Sequence, residues 1–370
     1  MIHQKISSKQ MALFMYPAIL ATSVLGVPSV TMKYAGHDMW LSPLWASIMG
    51  LLAIFVVFQL NVKFPGQSMI QCSTTVLGRV GGKLFGLIYM FYLPHLSGII
   101  LREYGEFILS TVLHHTPLFV VMGSLMLFCA MNVKSGIQVI ARSSQILIVM
   151  ASFFLFFILI LLIPDMNPGE LLPFAEKGLK PSIIGAIAPA GWFSEYILVS
   201  FFLPSLSDRP KALKVTLVSL GVVSVTMVAI NLSCLMLFGD LTDTFVYPVM
   251  IAARYISYAD FFQHIESLIV AIWISGIFVK VSLFLYIHAV ATAQWLNIED
   301  YRPLVFPLAV LTVVYSFWVV SNQTEVGALL GAGGNFYTMT MLIFLPGLLW
   351  AVAVIRKWGS AGKKEKGSSQ

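Results

Sequence analysis

Six charged side chains, Arg102, Glu103, Glu106, Glu195, Glu266 and Lys280, interrupt stretches of sequence that are otherwise apolar. A charge surrounded by lipid hydrocarbon costs about 2.5–3.5 kcal/mol or more, so each of the six must face a partner, a cavity or a polar interface. Arg102 and Glu106 stand four residues apart, the spacing of an ion pair on one helix face, and read as a structural ion pair or as part of a cluster with Glu266 rather than as ligand contacts. Lys280 and Glu195 fall near the middle of their apolar stretches and read as cavity residues, with mutual neutralisation as the alternative. His95, beside Pro94, reads either as a packing residue or as a ligand.

Two clusters of small residues and proline add backbone chemistry to this set. One runs from Tyr16-Pro17 through Thr22-Ser23 to Gly26-Val27-Pro28, the other from Pro189-Ala190-Gly191 through Trp192-Phe193 to Ser194-Glu195. At mid-membrane depth such sequences are tolerated where the chain lines a cavity. A half-helix N-terminus offers N–H groups and partial positive charge to a carboxylate. The amides of Gly26 and Val27 would then face a carboxylate, and carbonyls freed near Thr22 and Ala190 an amine. Trp192 and Phe193 would shape the side-chain pocket. Proline kinks and small-residue helix packing are the alternative. On the cavity reading, a valine at Gly26 or Gly191 blocks the ligand, and a permanent cation at Lys280 favours a zwitterion over a cationic amino acid.

The elements that position these groups are membrane helices. Of 370 residues, 58% are hydrophobic and 10% are charged, against roughly a quarter charged in an ordinary soluble chain. A bilayer core needs about 20 apolar residues per helix. Runs of that kind predict ten spans, at 11–32, 41–62, 83–110, 117–133, 137–163, 182–203, 213–238, 261–294, 303–320 and 332–355. With the N-terminus inside, sixteen of the 22 Lys and Arg fall in cytoplasmic segments or at the cytoplasmic ends of spans, four in outer segments and two deeper within spans. That bias places both termini in the cytoplasm, and it makes the net charge of +6 a matter of topology and not of a nucleic-acid partner. Two groups of five spans are inverted with respect to each other, and spans 1 and 6 then hold equivalent positions, where paired broken helices build a substrate site. The expected organisation is one membrane domain over 1–358, with repeats at about 11–163 and 182–355 and a disordered tail at 359–370.

No metal-ligand spacing, phosphate-binding loop, nucleophile elbow or pair of catalytic carboxylates is present. The chain therefore reads as a binding or transport protein, without catalytic residue, metal or cofactor. Cys72, Cys129 and Cys234 are odd in number and imply no disulfide framework.

Several segments resemble the B subunits of GerA-type spore germination receptors, within the amino acid–polyamine–organocation superfamily. They are Leu172-Pro173-Phe174-Ala175-Glu176-Lys177-Gly178-Leu179-Lys180-Pro181, Phe193-Ser194-Glu195, Arg102-Glu103 with Phe107, His115-Thr116-Pro117, Tyr247-Pro248, His264-Ile265-Glu266-Ser267 with Trp273, and Lys280-Val281-Ser282-Leu283-Phe284-Leu285-Tyr286. The resemblance implies an all-α fold of ten helices in a 5+5 inverted repeat, similar to the leucine transporter, with broken helices 1 and 6. It also implies sensing of a germinant such as an amino acid at the inner membrane of the spore, together with an A-type membrane subunit and a C-type lipoprotein. By analogy with the family's pocket, formed by spans 1, 3, 6, 8 and 10, it points to Ser23, Gly26, Tyr92, Gly191, Lys280 and Phe284, with His95 the alternative to Tyr92. The L-alanine-type subunit carries a hydroxyl residue at the position of Lys280, so this chain departs from it there. A proton-coupled amino-acid transporter is the other function compatible with these features.

Overall fold

The structure is a computed structural model that describes residues 4–255, 266–321, 325, 327, 329 and 331–356. Helices α1 (Ser8–Ala35), α2 (Ser42–Lys63), α3 (Met69–Thr111), α4 (Leu118–Ser135) and α5 (Ile137–Leu162) are the first five spans. Span 6 is divided into α6 (Lys180–Gly185), α7 (Ile187–Ser194) and a 3₁₀ stretch (Glu195–Phe201). Then come α8 (Ala212–Phe238), a short α9 (Pro248–Tyr255), α10 (Glu266–Leu296) and α11 (Val305–Val319). Span 10 consists of α12 (Ala332–Met339), a π-helical turn (Thr340–Phe344) and α13 (Leu345–Ile355). Eight of these helical stretches are long and apolar enough to cross a membrane, and one of them, Ser8–Lys63, contains two passes. The divided span 6 supplies the tenth.

Contacts at the helix ends place the segments on two opposite faces. On one, Ile6 pairs with Leu206, the Gln138 side chain donates to the Lys5 carbonyl and Arg356 donates to the Val76 carbonyl. On the other, His37 meets the Glu170 carbonyl and Asp240, and the Ala175 amide donates to Asp38. Both ends of the described chain therefore lie on one face, as an even number of passes requires. Helices α1 and α3 begin with capping boxes, Ser7 with Gln10 and Ser68 with Gln71, which satisfy N–H groups that a helix start leaves open.

Lipid-facing and core-facing residues separate by helical period. On α5, Ile146, Val149, Phe153 and Ile160 are exposed, while Ile140, Ile148, Leu155 and Ile158 are buried. Glycines allow the closest helix approaches, as is common in membranes. A Cβ added at Gly98 would lie 3.1 Å from the Ser316 backbone nitrogen, so α3 and α11 touch almost main chain to main chain. The three cysteines are free and buried.

Two expectations need adjustment. Helix α1 is continuous through Pro17 and Pro28, so the chain is not unwound at Gly26 and the amides of Gly26 and Val27 remain within a helical ladder. The hydroxyls of Ser23 and Thr31 bond back to the carbonyls of Ile19 and Val27, at 2.9 and 2.7 Å, instead of turning outward. Span 6 is interrupted as expected, but at Ala186 and at Glu195, on either side of the Pro189–Gly191 cluster. Residues 261–265 of the expected span 8, and the tail at 359–370, lie outside the described residues.

Candidate functional site

Lys280 sits in the middle of α10, has no exposed surface, and has an acceptor for each of its three ammonium protons. Nζ lies 2.9 Å from Thr22 Oγ1 on α1 and 3.0 Å from both carboxylate oxygens of Glu195, where span 6 changes from α to 3₁₀ pitch. Trp192 Nε1 donates to the same Thr22 hydroxyl at 2.8 Å, and Nζ is 5.5 Å from the centroid of the Phe284 ring one turn on. One ammonium thus ties spans 1, 6 and 8. This network explains why α1 is unbroken: the Thr22 side chain and Glu195 satisfy the cation, so no main-chain carbonyl of span 1 has to be released for it. Because Glu195 neutralises Lys280, the fixed cation expected to favour a zwitterion is already consumed.

A cavity of about 30 Å³ adjoins the network. Thr22, Trp192, Glu195 and Lys280 form one wall, His95, Ile99, Ile100 and Glu103 of α3 another, and Gly334, Asn335, Tyr337 and Thr338 of α12 a third. Spans 1, 3, 6, 8 and 10 therefore meet around one small space. Gly191 lies just outside it, where an added Cβ would come 2.0 Å from Asn335 Oδ1. Ala190 is buried beside it. Tyr92 does not line the cavity, but its ring packs 5.7 Å from that of Tyr337, as does His95. Ser23, Gly26 and Val27 stay within α1 away from the cavity, and a Cβ at Gly26 would have nothing within 4 Å. Phe193 turns the other way, toward Gly50 of α2.

The remaining intramembrane charges separate cleanly. Arg102 pairs with Glu106 at 2.7 Å, donates to the Ser321 carbonyl at 2.7 Å and lies over the Phe317 ring, so this pair is structural. The Glu266 side chain lies outside the described residues. Asn335, Tyr337 and Thr338 were not among the expected site residues. The signal was the run Gly331-Ala332-Gly333-Gly334 ahead of them, the same small-residue pattern that marks spans 1 and 6.

A second cavity, about 830 Å³, opens on the face carrying the N-terminal end. It is lined by polar residues including Gln67, Gln71, Gln294, Asn297 and Asp300, and by Tyr286, two residues beyond Phe284. Among the described residues no group of His, Cys, Asp and Glu could hold a metal ion.

The sequence profile described as "Spore germination protein" matches residues 5–324. The chain belongs to that family. Spore germination protein KB of Bacillus subtilis (strain 168) is 26% identical over 366 residues, covering 95% of each chain. Spore germination protein YndE of the same strain is 23% identical, covering 97% of this chain and 98% of its own. In fold, the chain resembles a substrate-bound, outward-open Na⁺-coupled sialic acid symporter (TM-score 0.64, 12% identity, 92% of this chain and 79% of the other). It also resembles MhsT in complex with L-phenylalanine (TM-score 0.64, 13% identity, 95% and 90%). At those identities the likeness shows the fold alone: an all-helical transporter architecture in a germination-related membrane protein.

Proposed function

We propose that this chain is the germinant-binding subunit of a spore germination receptor, that the central cavity holds an amino acid or similar small molecule, and that binding is passed to partner subunits. The observation supporting this most directly is the Lys280–Glu195–Thr22–Trp192 network, fully buried where five spans converge and bordered by a polar-lined space. A cavity of about 30 Å³ has room for about one water, so a ligand enters only if the walls move apart. Binding and conformational change are then one event, as a sensor requires. The A-type membrane subunit, the C-type lipoprotein, and an inner-membrane location with both termini in the cytoplasm belong to the same reading. They rest on the family and on the distribution of basic residues.

A proton-coupled amino-acid transporter is the second reading. It draws support from carboxyl groups facing the cavity and from the symporter-like fold. The deciding experiment uses the full chain reconstituted in proteoliposomes, with thermal stability and uptake of single L-amino acids measured side by side. A sensor is stabilised by its ligand, loses that stabilisation with Trp192→Ala, and does not accumulate ligand under a proton gradient. Gradient-driven accumulation would make the chain a transporter.

A further inference from the structure

The Lys280–Glu195 pair is electrically closed, which leaves the Glu103 carboxyl in the central cavity without a hydrogen-bonded counter-ion among the described residues. Glu103 is 2% exposed, lines the cavity, and has a carboxyl oxygen, Oε2, with no hydrogen-bond partner among the described residues. Its sequence neighbour does not serve it, because the Arg102 guanidinium turns away to Glu106 and the Ser321 carbonyl. Lys280 is near enough to act on Glu103 electrostatically, but all three of its protons are bound elsewhere, and Glu195 acts on Glu103 as a second negative charge. A buried acceptor left in this state is expensive, and the nearby cation, Lys280, is already paired with Glu195.

We infer that Glu103 is a specificity-determining residue that receives a protonated primary amine from the ligand. This rests on the central cavity being the ligand site, and it names the chemical class that the site takes. A carboxylate accepting from an ammonium makes a charge-assisted hydrogen bond in a medium of low dielectric, and the ligand brings Glu103 the donor that Lys280, bonded to Thr22 and Glu195, does not. The α3 wall thus recognises the amine. Asn335 and Thr338 of α12 line the facing wall. A hydroxyl in place of the amine would supply a donor but no charge, and so would bind more weakly.

The test uses the full-length chain in detergent, with its thermal midpoint as readout. The probes are the twenty L-amino acids, their decarboxylated amines and their 2-hydroxy acids, with sodium chloride against choline chloride as a separate arm. Stabilisation is expected from one or more primary amines and not from the matching hydroxy acids. If the decarboxylated amine acts like its parent, the amine alone suffices; if only the amino acid acts, a carboxylate is read as well. Glu103→Gln, which preserves size and one acceptor, should weaken binding of the active amine roughly ten- to a hundredfold, as loss of a charge-assisted hydrogen bond does. Glu103→Asp should restore part of the affinity. Equal stabilisation of the native chain by an amine and its hydroxy counterpart would overturn the inference without any variant having to fold. So would undiminished affinity in Glu103→Gln, or sodium alone reproducing the effect. In those cases binding abolished by Trp192→Ala would still uphold the central site, whereas no stabilisation by any probe would remove both.

Discussion

Replacing Lys280 with Met keeps the apolar stem of the side chain and deletes the ammonium. The Glu195 carboxylate, 3% exposed, is left without the cation that now lies 3.0 Å from both its oxygens. At an effective dielectric of about 20, unit charges at that distance attract by roughly 5 kcal/mol. Breaking a buried pair from one side costs about 3–5 kcal/mol, whereas replacing both partners with neutral groups is often close to neutral. Lys280→Met and Glu195→Gln should therefore each destabilise the chain by about 3 kcal/mol or more, and the double variant should recover most of that loss. The assay is a double-mutant cycle on equilibrium unfolding in mixed micelles, run in parallel with ligand response. If the double variant is as unstable as the two single losses combined, Lys280 and Glu195 are not coupled, and the closed-pair account of the cavity's charge fails. Lys280→Arg retains the charge, but its planar head must fit beside a cavity of about 30 Å³, so it should fold less well than the native chain while remaining ion-paired.

Thr22→Val preserves shape but strands one donor of Lys280 and the indole N–H of Trp192, and should cost about 1–3 kcal/mol for each group left unsatisfied; Thr22→Ser, on the same melting assay, should be mild. Gly191→Val should abolish ligand response at normal abundance, because the new side chain strikes Asn335 of α12, whereas Gly26→Val, with open space around it, should respond nearly as the native chain does in the same spore germination assay. Asp208 accepts from the Ser8 amide at 2.6 Å and from the Ser8 hydroxyl at 2.8 Å, and those bonds hold its carboxyl below its ordinary range. Its contribution to stability is therefore present above the usual aspartate value near 3.8 and is lost only as pH falls through the lower folded value. Proteolysis of the N-terminal end should consequently be unchanged from pH 7 to 5 in the native chain and faster throughout in Asp208→Asn. Single cysteines at Lys177 and Glu299 should react with an impermeant maleimide from outside and only after permeabilisation, respectively; the opposite pattern would reverse the orientation.

Spans and charges were legible in the sequence because hydrocarbon penalises every exception to an apolar run. Ten passes follow from that rule alone, as does the expectation that Lys280 and Glu195 share an environment. The Arg102–Glu106 pair follows from helical spacing. What the sequence did not convey is rotation about each helix axis. Phe193 and Trp192 are neighbours in one motif, yet Phe193 packs on Gly50 while Trp192 reaches Thr22. Glu103 was visible as an intramembrane charge, but nothing in its spacing separated it from Arg102 and Glu106. The division of span 6 at Glu195 and the continuity of α1 surround one ammonium that side chains of both spans satisfy, an arrangement visible only in three dimensions.

The π-helical turn at Thr340–Phe344 bears on how such proteins vary in length. A π turn is an α-helix with one extra residue, and one residue corresponds to about 100° of rotation. Deleting a single residue there would restore α pitch and swing α12, with Asn335 and Thr338, by about that angle relative to α13. The cavity face of span 10 is therefore set by a chain-length register as much as by residue identity. Relatives that align here with a one-residue gap would present a different set of span 10 side chains to the same cavity without a single substitution in α12.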